Sequence, residues 1–133
     1  MTTRGVDVAR WCATPIAAVL GAAVTQVLVF QGLGYLAWTF WGDGQGDWIW
    51  AVKTMTSVFM GATFVAVAWE VAPHAKREVA LVALGVVVLW GLRLIIGAFD
   101  WPFGGWLAAM GLAGIGGGAV ALWLEQRRGI ASA

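Results

Sequence analysis

The sequence predicts an all-α integral membrane protein, a four-helix bundle that crosses the bilayer in the order up-down-up-down. Hydrophobic residues make up 61% of its 133 residues and charged residues 11%, whereas soluble domains average about 45–50% and about 25%. The apolar residues gather in four segments, each near the roughly 20 residues that span a hydrocarbon core of about 30 Å. A chain of this length forms a single transmembrane domain, residues 1–133.

The predicted spans cover residues 15–38, 49–70, 79–99 and 103–124. Pro15 fits the start of the first span, because a residue in the first turn has no helical partner for its N–H group. The segments are apolar on every face and about twice as long as a barrel strand, which excludes a membrane β-barrel. Because the connections are short, consecutive helices are predicted to be antiparallel neighbours.

Charge placement predicts the orientation of the spans. Basic residues precede the first span, separate the second from the third and follow the fourth: Arg4, Arg10, Lys76, Arg77, Arg127 and Arg128. The two opposite loops carry acidic residues and neither lysine nor arginine: Asp43, Asp47 and Asp100. Since cytoplasmic loops are enriched in lysine and arginine, both termini are predicted to be cytoplasmic.

Composition also indicates the compartment. Of the ten tryptophans, only Trp90 falls near the middle of a span, and the others mark the two membrane interfaces.

The apolar stretch from Trp11 to Phe40 is longer than the 7–15 apolar residues of a cleaved signal peptide. The abundance of alanine and glycine and the absence of asparagine are typical of a GC-rich bacterial genome. We therefore expect a multi-pass protein of the bacterial cytoplasmic (inner) membrane.

No motif for catalysis is present. A net charge of +1 argues against a nucleic-acid partner, which needs a basic patch. Cys12 and His74 are the only residues of their kinds, which excludes a disulfide within the chain and a site of several imidazoles. Motifs for hydrolysis, phosphate binding and metal binding are also missing. The sequence thus predicts no enzyme, no metal and no cofactor, while a bound lipid or another hydrophobic small molecule stays open.

Polar side chains fall in the outer half of three spans. Arg93 lies four residues beyond the middle of the third span, or about 6 Å along the helix, where a cation needs a partner or water. The candidate outer-half polar cluster comprises Gln31, Lys53, Thr56, Arg93 and Asp100. Three interpretations stay open: cations that snorkel toward the headgroups, a small pocket for an anion or polar ligand, and a contact between Arg93 and an acid of another subunit.

Glycine is concentrated in the fourth span. Gly114 and Gly118 form a GxxxG pair, and Gly111 lies nearly one turn earlier on almost the same face. Small residues at this spacing let a second backbone approach closely. Because glycine occupies more than one face, we expect this helix to contact other membrane-protein subunits or a second copy of the chain, the alternative being a hydrophobic tail.

The basic turn between the second and third spans holds the remaining candidates: Glu70, His74, Lys76 and Arg77. Acids and bases this close at a membrane surface are typical of a local ion-pair patch, and the sharper interpretation is a docking surface for a soluble partner.

From these observations we expect a structural or accessory subunit that packs against other membrane proteins and is surrounded by membrane lipid. The alternative is a small homo-oligomeric channel or transporter for a polar or anionic solute, which would use Lys53 and Arg93. A membrane enzyme or lipid-handling protein is a third interpretation, for which the sequence contains no catalytic constellation. A proton-coupled mechanism is disfavoured, because no Asp, Glu or His lies in the middle of a span.

Overall fold

The computed structural model describes residues 3–41, 48–100 and 104–131. Those ranges form four α-helices and one short 3-10 turn, Ala98–Asp100; the helices are α1 (Thr3–Trp41), α2 (Trp48–Val71), α3 (Lys76–Gly97) and α4 (Gly104–Ala131). Each α-helix is long and apolar enough to cross a membrane. The prediction of an all-α protein with four helices of membrane-spanning length is therefore confirmed. Asp43 and Asp47 lie outside the described residues.

α1 extends well beyond the predicted first span. Its 39 residues correspond to about 58 Å at a rise of about 1.5 Å per residue. Pro15 lies inside this helix, so the prediction that Pro15 begins it is wrong. Contacts on the N-terminal side of the proline explain the difference. The Arg10 guanidinium donates hydrogen bonds to backbone carbonyls at the end of α2, and Trp11 packs edge-on against His74. These contacts stabilise the first turns in spite of the N–H group that proline lacks.

α2 is the helix on which the others assemble. α4 packs along both α2 and α3, α3 also contacts α2, and α1 packs along α2. Within the described ranges, no Cα atom of α1 comes within 8 Å of a Cα atom of α3 or α4. Helix α1 therefore has one neighbouring helix in the chain, and most of its circumference faces outward.

Glycines bring α2 and α4 into direct backbone contact. A Cβ atom added to Gly117 would collide with the carbonyl oxygen of Val58, and one added to Gly61 would collide with the carbonyl oxygen of Gly114. In lipid, helices associate through such close van der Waals contact, since the surrounding tails are as apolar as the side chains. The buried cluster beside this contact is also built mainly from small residues: Ala18, Val65, Ala68, Ala80, Ala83, Val87, Ala121 and Leu122.

A polar contact joins α1 to α2. The Thr25 hydroxyl donates a hydrogen bond to the Thr63 hydroxyl over 3.1 Å. One turn away, a Cβ atom on Gly21 would lie 3.1 Å from a methyl carbon of Val67, which shows how closely the two helices approach. Thr25 thus has the interhelical partner that a hydroxyl inside the membrane requires.

We expect the Thr25–Thr63 bond to contribute about 0.6–1.7 kcal/mol to the free energy of unfolding. A double-mutant cycle with Thr25→Val and Thr63→Val, measured during unfolding in mixed detergent micelles, gives this coupling energy directly. Thr39→Val is the control, because Thr39 donates to the Tyr35 carbonyl of its own helix and should show no coupling to Thr63→Val. A coupling energy near zero for the Thr25–Thr63 pair would mean that the bond does not stabilise the packing of α1 on α2.

Candidate functional site

The residues of the predicted outer-half polar cluster point in different directions. Gln31, Arg93 and Asp100 are exposed. The Lys53 ammonium instead lies 4.5 Å from the ring centroid of Trp50, one turn away on its own helix. Thr56 is buried, and its hydroxyl donates to the Val52 carbonyl. No hydrogen bond or ion pair joins the five cluster residues to one another in the part of the chain that the structure describes. The five residues share the predicted outer half of the bilayer, but their side chains do not form one pocket.

Two hollows lie between α1 and α3, with α2 as their floor. The smaller, of about 220 Å³, is lined by Val19, Ala22, Met60, Gly61, Phe64, Val86, Val87 and Trp90. The larger, of about 380 Å³, reaches toward the N-terminal end of α3 and is lined by Trp11, Thr14, Pro15, Ala18, Phe64, Ala68, Ala75, Glu78, Val79, Val82, Ala83 and Val86. Their walls are mostly hydrocarbon, with Thr14 and Glu78 among the residues of the larger hollow, and neither has, among its described lining residues, a cation that would attract an anion.

One face of α3 is exposed along its whole length, and Arg93 lies on it. The residues of this face follow one another at intervals of four, three, four and three, and we call them the outer stripe: Val82, Val86, Leu89, Arg93 and Ile96. The opposite face carries Ala83, Val87 and Gly91, which are buried against the rest of the chain. Val82, Leu89 and Ile96 are each more than 60% exposed. Val82 and Val86 of this stripe also line the hollows between α1 and α3. Arg93 is thus a cation in an otherwise apolar and exposed surface.

The chain's own helices pack against most of the glycines of α4. Gly111 meets the Gly91 carbonyl of α3, Gly114 meets the ring of Trp90, and Gly118 meets Leu84. Among the described glycines of α4, only Gly105 and Gly116 have no atom within 4 Å of an added Cβ atom. Two neighbours inside the chain, α2 and α3, account for glycine on more than one face. Contacts within the chain therefore account for the glycine spacing of α4, and a contact of α4 with another subunit stays a prediction.

The predicted turn residues divide into two groups. His74 packs edge-on against Trp11 of α1, with ring centroids 5.2 Å apart, and the Glu70 carboxylate lies 4.0 Å from the Arg128 guanidinium of α4. Lys76 and Arg77, by contrast, form no ion pair within the described ranges. The turn residues therefore do not form one ion-pair patch, and Glu70 and His74 connect three helices at this end of the bundle.

Arg10 and Glu125 belong to the same end and were missed as candidates. Arg10 donates hydrogen bonds of 3.1 Å and 3.3 Å to the carbonyls of Val71 and Glu70, which have no partner inside the helix that they end. Glu125 is 7% exposed and accepts a hydrogen bond of 3.2 Å from Arg128. The sequence does contain an acid and a base three residues apart, but that pattern is common on exposed helices. Burial of Glu125 depends on which face of α4 turns inward.

The described residues contain no group of three or more His, Cys, Asp or Glu side chains placed to hold a metal ion. The feature that most needs an explanation is the exposed Arg93, a cation on an apolar helix face with no ion-pair partner among the described residues. No protein-family model, curated protein or solved structure matches the chain.

Proposed function

We propose that the protein is a small accessory subunit that packs against other membrane proteins in the bacterial cytoplasmic membrane. The observation that carries this proposal is the exposed position of Arg93 on α3, without a hydrogen bond or ion pair to any described residue. A cation at the middle of a span costs about 2.5–3.5 kcal/mol on insertion scales, somewhat less at the depth of Arg93. A second membrane protein beside α3 lowers that cost and covers the apolar residues around it.

The proposed topology is up-down-up-down with both termini in the cytoplasm. Contacts between α1 and α2 support it, because Thr25 meets Thr63 while Arg10, earlier in α1, meets Val71, later in α2. Contacts between α3 and α4 run in the same opposed sense: Gly91 meets Gly111, and Leu84 meets Gly118. Antiparallel helices of even number place both termini on the same side of the membrane. The lysine and arginine residues at the termini and in the turn between α2 and α3 favour the cytoplasm as that side.

A small homo-oligomeric channel for a polar or anionic solute is the second candidate, favoured by the outward position of Arg93. The hollows within one copy are apolar, so a polar pathway would have to form between copies. Such a channel requires Arg93 to line the pore, and Arg93→Gln would then abolish anion flux into vesicles while the protein still inserts.

The two candidates are distinguished by expressing the same tagged chain in its own cells and in a foreign bacterium, and extracting both with a mild detergent. We expect the native extract to elute at a larger size, with other membrane proteins present in a fixed ratio, because only the native membrane contains the partner. The foreign extract should contain the chain alone and in lower yield. Elution of both extracts as the same homo-oligomer would contradict the accessory role and favour the channel.

A further inference from the structure

We propose that the outer stripe of α3 binds a transmembrane helix of a different protein, and that this helix carries an Asp or Glu side chain at the depth of Arg93. This inference rests on the proposed accessory role and adds the contact surface and the chemistry of the partner. It follows from three features: the spacing of the stripe, the absence of an ion-pair partner for Arg93 among the described residues, and the positions of the carboxylates along the sequence.

The spacing of the stripe suits a single neighbouring helix. Its residues repeat at intervals of four and three over 15 positions, from Val82 to Ile96, which is the seam of left-handed helix pairs. Most transmembrane bundles pack with that crossing. Gly85 and Gly97 flank the stripe, and an added Cβ atom would meet nothing within 4 Å at either position. Neither glycine therefore obstructs a partner backbone, and at the other end of the stripe Val82 and Val86 also line the hollows beside α1.

Among the described residues, no acid lies at the depth of Arg93. Asp100 follows it by seven residues, about 10 Å farther along the axis, and no ion pair joins the two in the described part of the chain. The sequence has no Asp or Glu between residues 8 and 42, 48 and 69, 79 and 99, or 101 and 124. The carboxylates that the structure describes thus lie at or near the ends of the helices, away from the depth of Arg93: Asp7, Glu70, Glu78, Asp100 and Glu125.

The positions of the carboxylates also exclude a second copy as the partner. Two copies that met symmetrically through this stripe would place Arg93 opposite Arg93, and like charges in lipid repel. A copy that met the stripe through another helix would offer no carboxylate inside the membrane. Only a different protein can therefore supply the acid. An arginine paired with a carboxylate forms strong, directional hydrogen bonds, and this pairing would fix the depth at which the two helices meet.

Photocrosslinking in native membranes tests the contact. Leu89 in the stripe and Leu112 on α4 are 69% and 62% exposed, and each is replaced in turn by benzoylphenylalanine in the full chain. We expect the probe at position 89 to capture a transmembrane segment of another protein with an Asp or Glu inside its apolar stretch. The probe at position 112 should not capture that segment. Adding Arg93→Gln should lower the yield at position 89 by about fivefold or more.

A charge exchange completes the test. Arg93→Glu should abolish the crosslink, and replacing the acid of the captured segment with arginine should restore it. Crosslinks from position 89 to lipid alone, to a second copy, or to a segment without a carboxylate would overturn the inference, as would a yield that Arg93→Gln leaves unchanged. If the chain still co-purifies with other subunits in those cases, the accessory role stands and only this contact is refuted. Recovery of the chain alone from native membranes would refute both.

Discussion

Gly117→Ala should lower the free energy of unfolding by about 1–3 kcal/mol, although alanine is the better helix former. The added methyl group would collide with the carbonyl oxygen of Val58 on α2. A helical backbone cannot move aside as the tip of a flexible side chain can, so α2 and α4 would have to separate. The separation would weaken dispersion contacts along the whole pair of helices, which include the approach of Gly61 to Gly114.

Gly116→Ala is the matched control for this prediction. Gly116 precedes Gly117 in the chain, but an added Cβ atom at Gly116 meets nothing within 4 Å. Its replacement should leave the free energy of unfolding unchanged or raise it by up to about 1 kcal/mol, because alanine is the better helix former. Tryptophan fluorescence during unfolding in mixed detergent micelles measures both variants. Equal effects of Gly116→Ala and Gly117→Ala would contradict the close packing of α2 on α4.

Glu125→Lys should also lower the free energy of unfolding, by about 1–3 kcal/mol. The Glu125 side chain is buried and accepts a hydrogen bond from Arg128 over 3.2 Å. The substitution places a second cation beside the Arg128 guanidinium in a position that excludes most solvent, and buried charge without a partner is costly. The effect is smaller than for a fully enclosed pair, because Arg128 is 73% exposed and a long lysine chain can extend toward solvent.

Glu70→Lys separates the effect of burial from that of charge. Glu70 faces the same Arg128 guanidinium, but at 4.0 Å and with a side chain that is 58% exposed. Exposed ion pairs contribute about 0–1 kcal/mol, so we expect this variant to lose less than about 0.5 kcal/mol. Chemical denaturation of both variants in the same detergent gives the comparison. Equal losses for Glu125→Lys and Glu70→Lys would mean that the packing around Glu125 does not shield it from solvent.

The four apolar helices were predictable because the bilayer imposes length and hydrophobicity on any segment that crosses it. The extension of α1 to Thr3 could not be predicted, because it depends on contacts between residues far apart in sequence. The Arg10 guanidinium donates hydrogen bonds to the carbonyls at the end of α2, and no local sequence pattern predicts such a contact. The local preference of Pro15 for a helix start is weaker than these tertiary contacts.

The position of a residue along its helix was easier to predict than the direction of its side chain. Counting residues places Arg93 and Thr56 in the same half of the bilayer, yet Arg93 faces outward and Thr56 faces the core. That direction depends on how each helix rotates against its neighbours. The glycines of α4 illustrate the same point: their spacing predicts a close approach, but GxxxG does not specify which helix approaches. Here Gly114 and Gly118 are occupied by α2 and α3.

An intact-mass measurement tests the accessory role most directly. The protein is purified from its own membranes in mild detergent through an affinity tag, the tag is cleaved off, and the complex is then released into the gas phase. We expect a complex whose mass is not an integer multiple of the 14.1 kDa chain, and which on activation releases this chain together with at least one larger membrane subunit. A mass equal to an integer multiple of 14.1 kDa, after bound lipid is subtracted, would contradict the accessory role and indicate self-assembly.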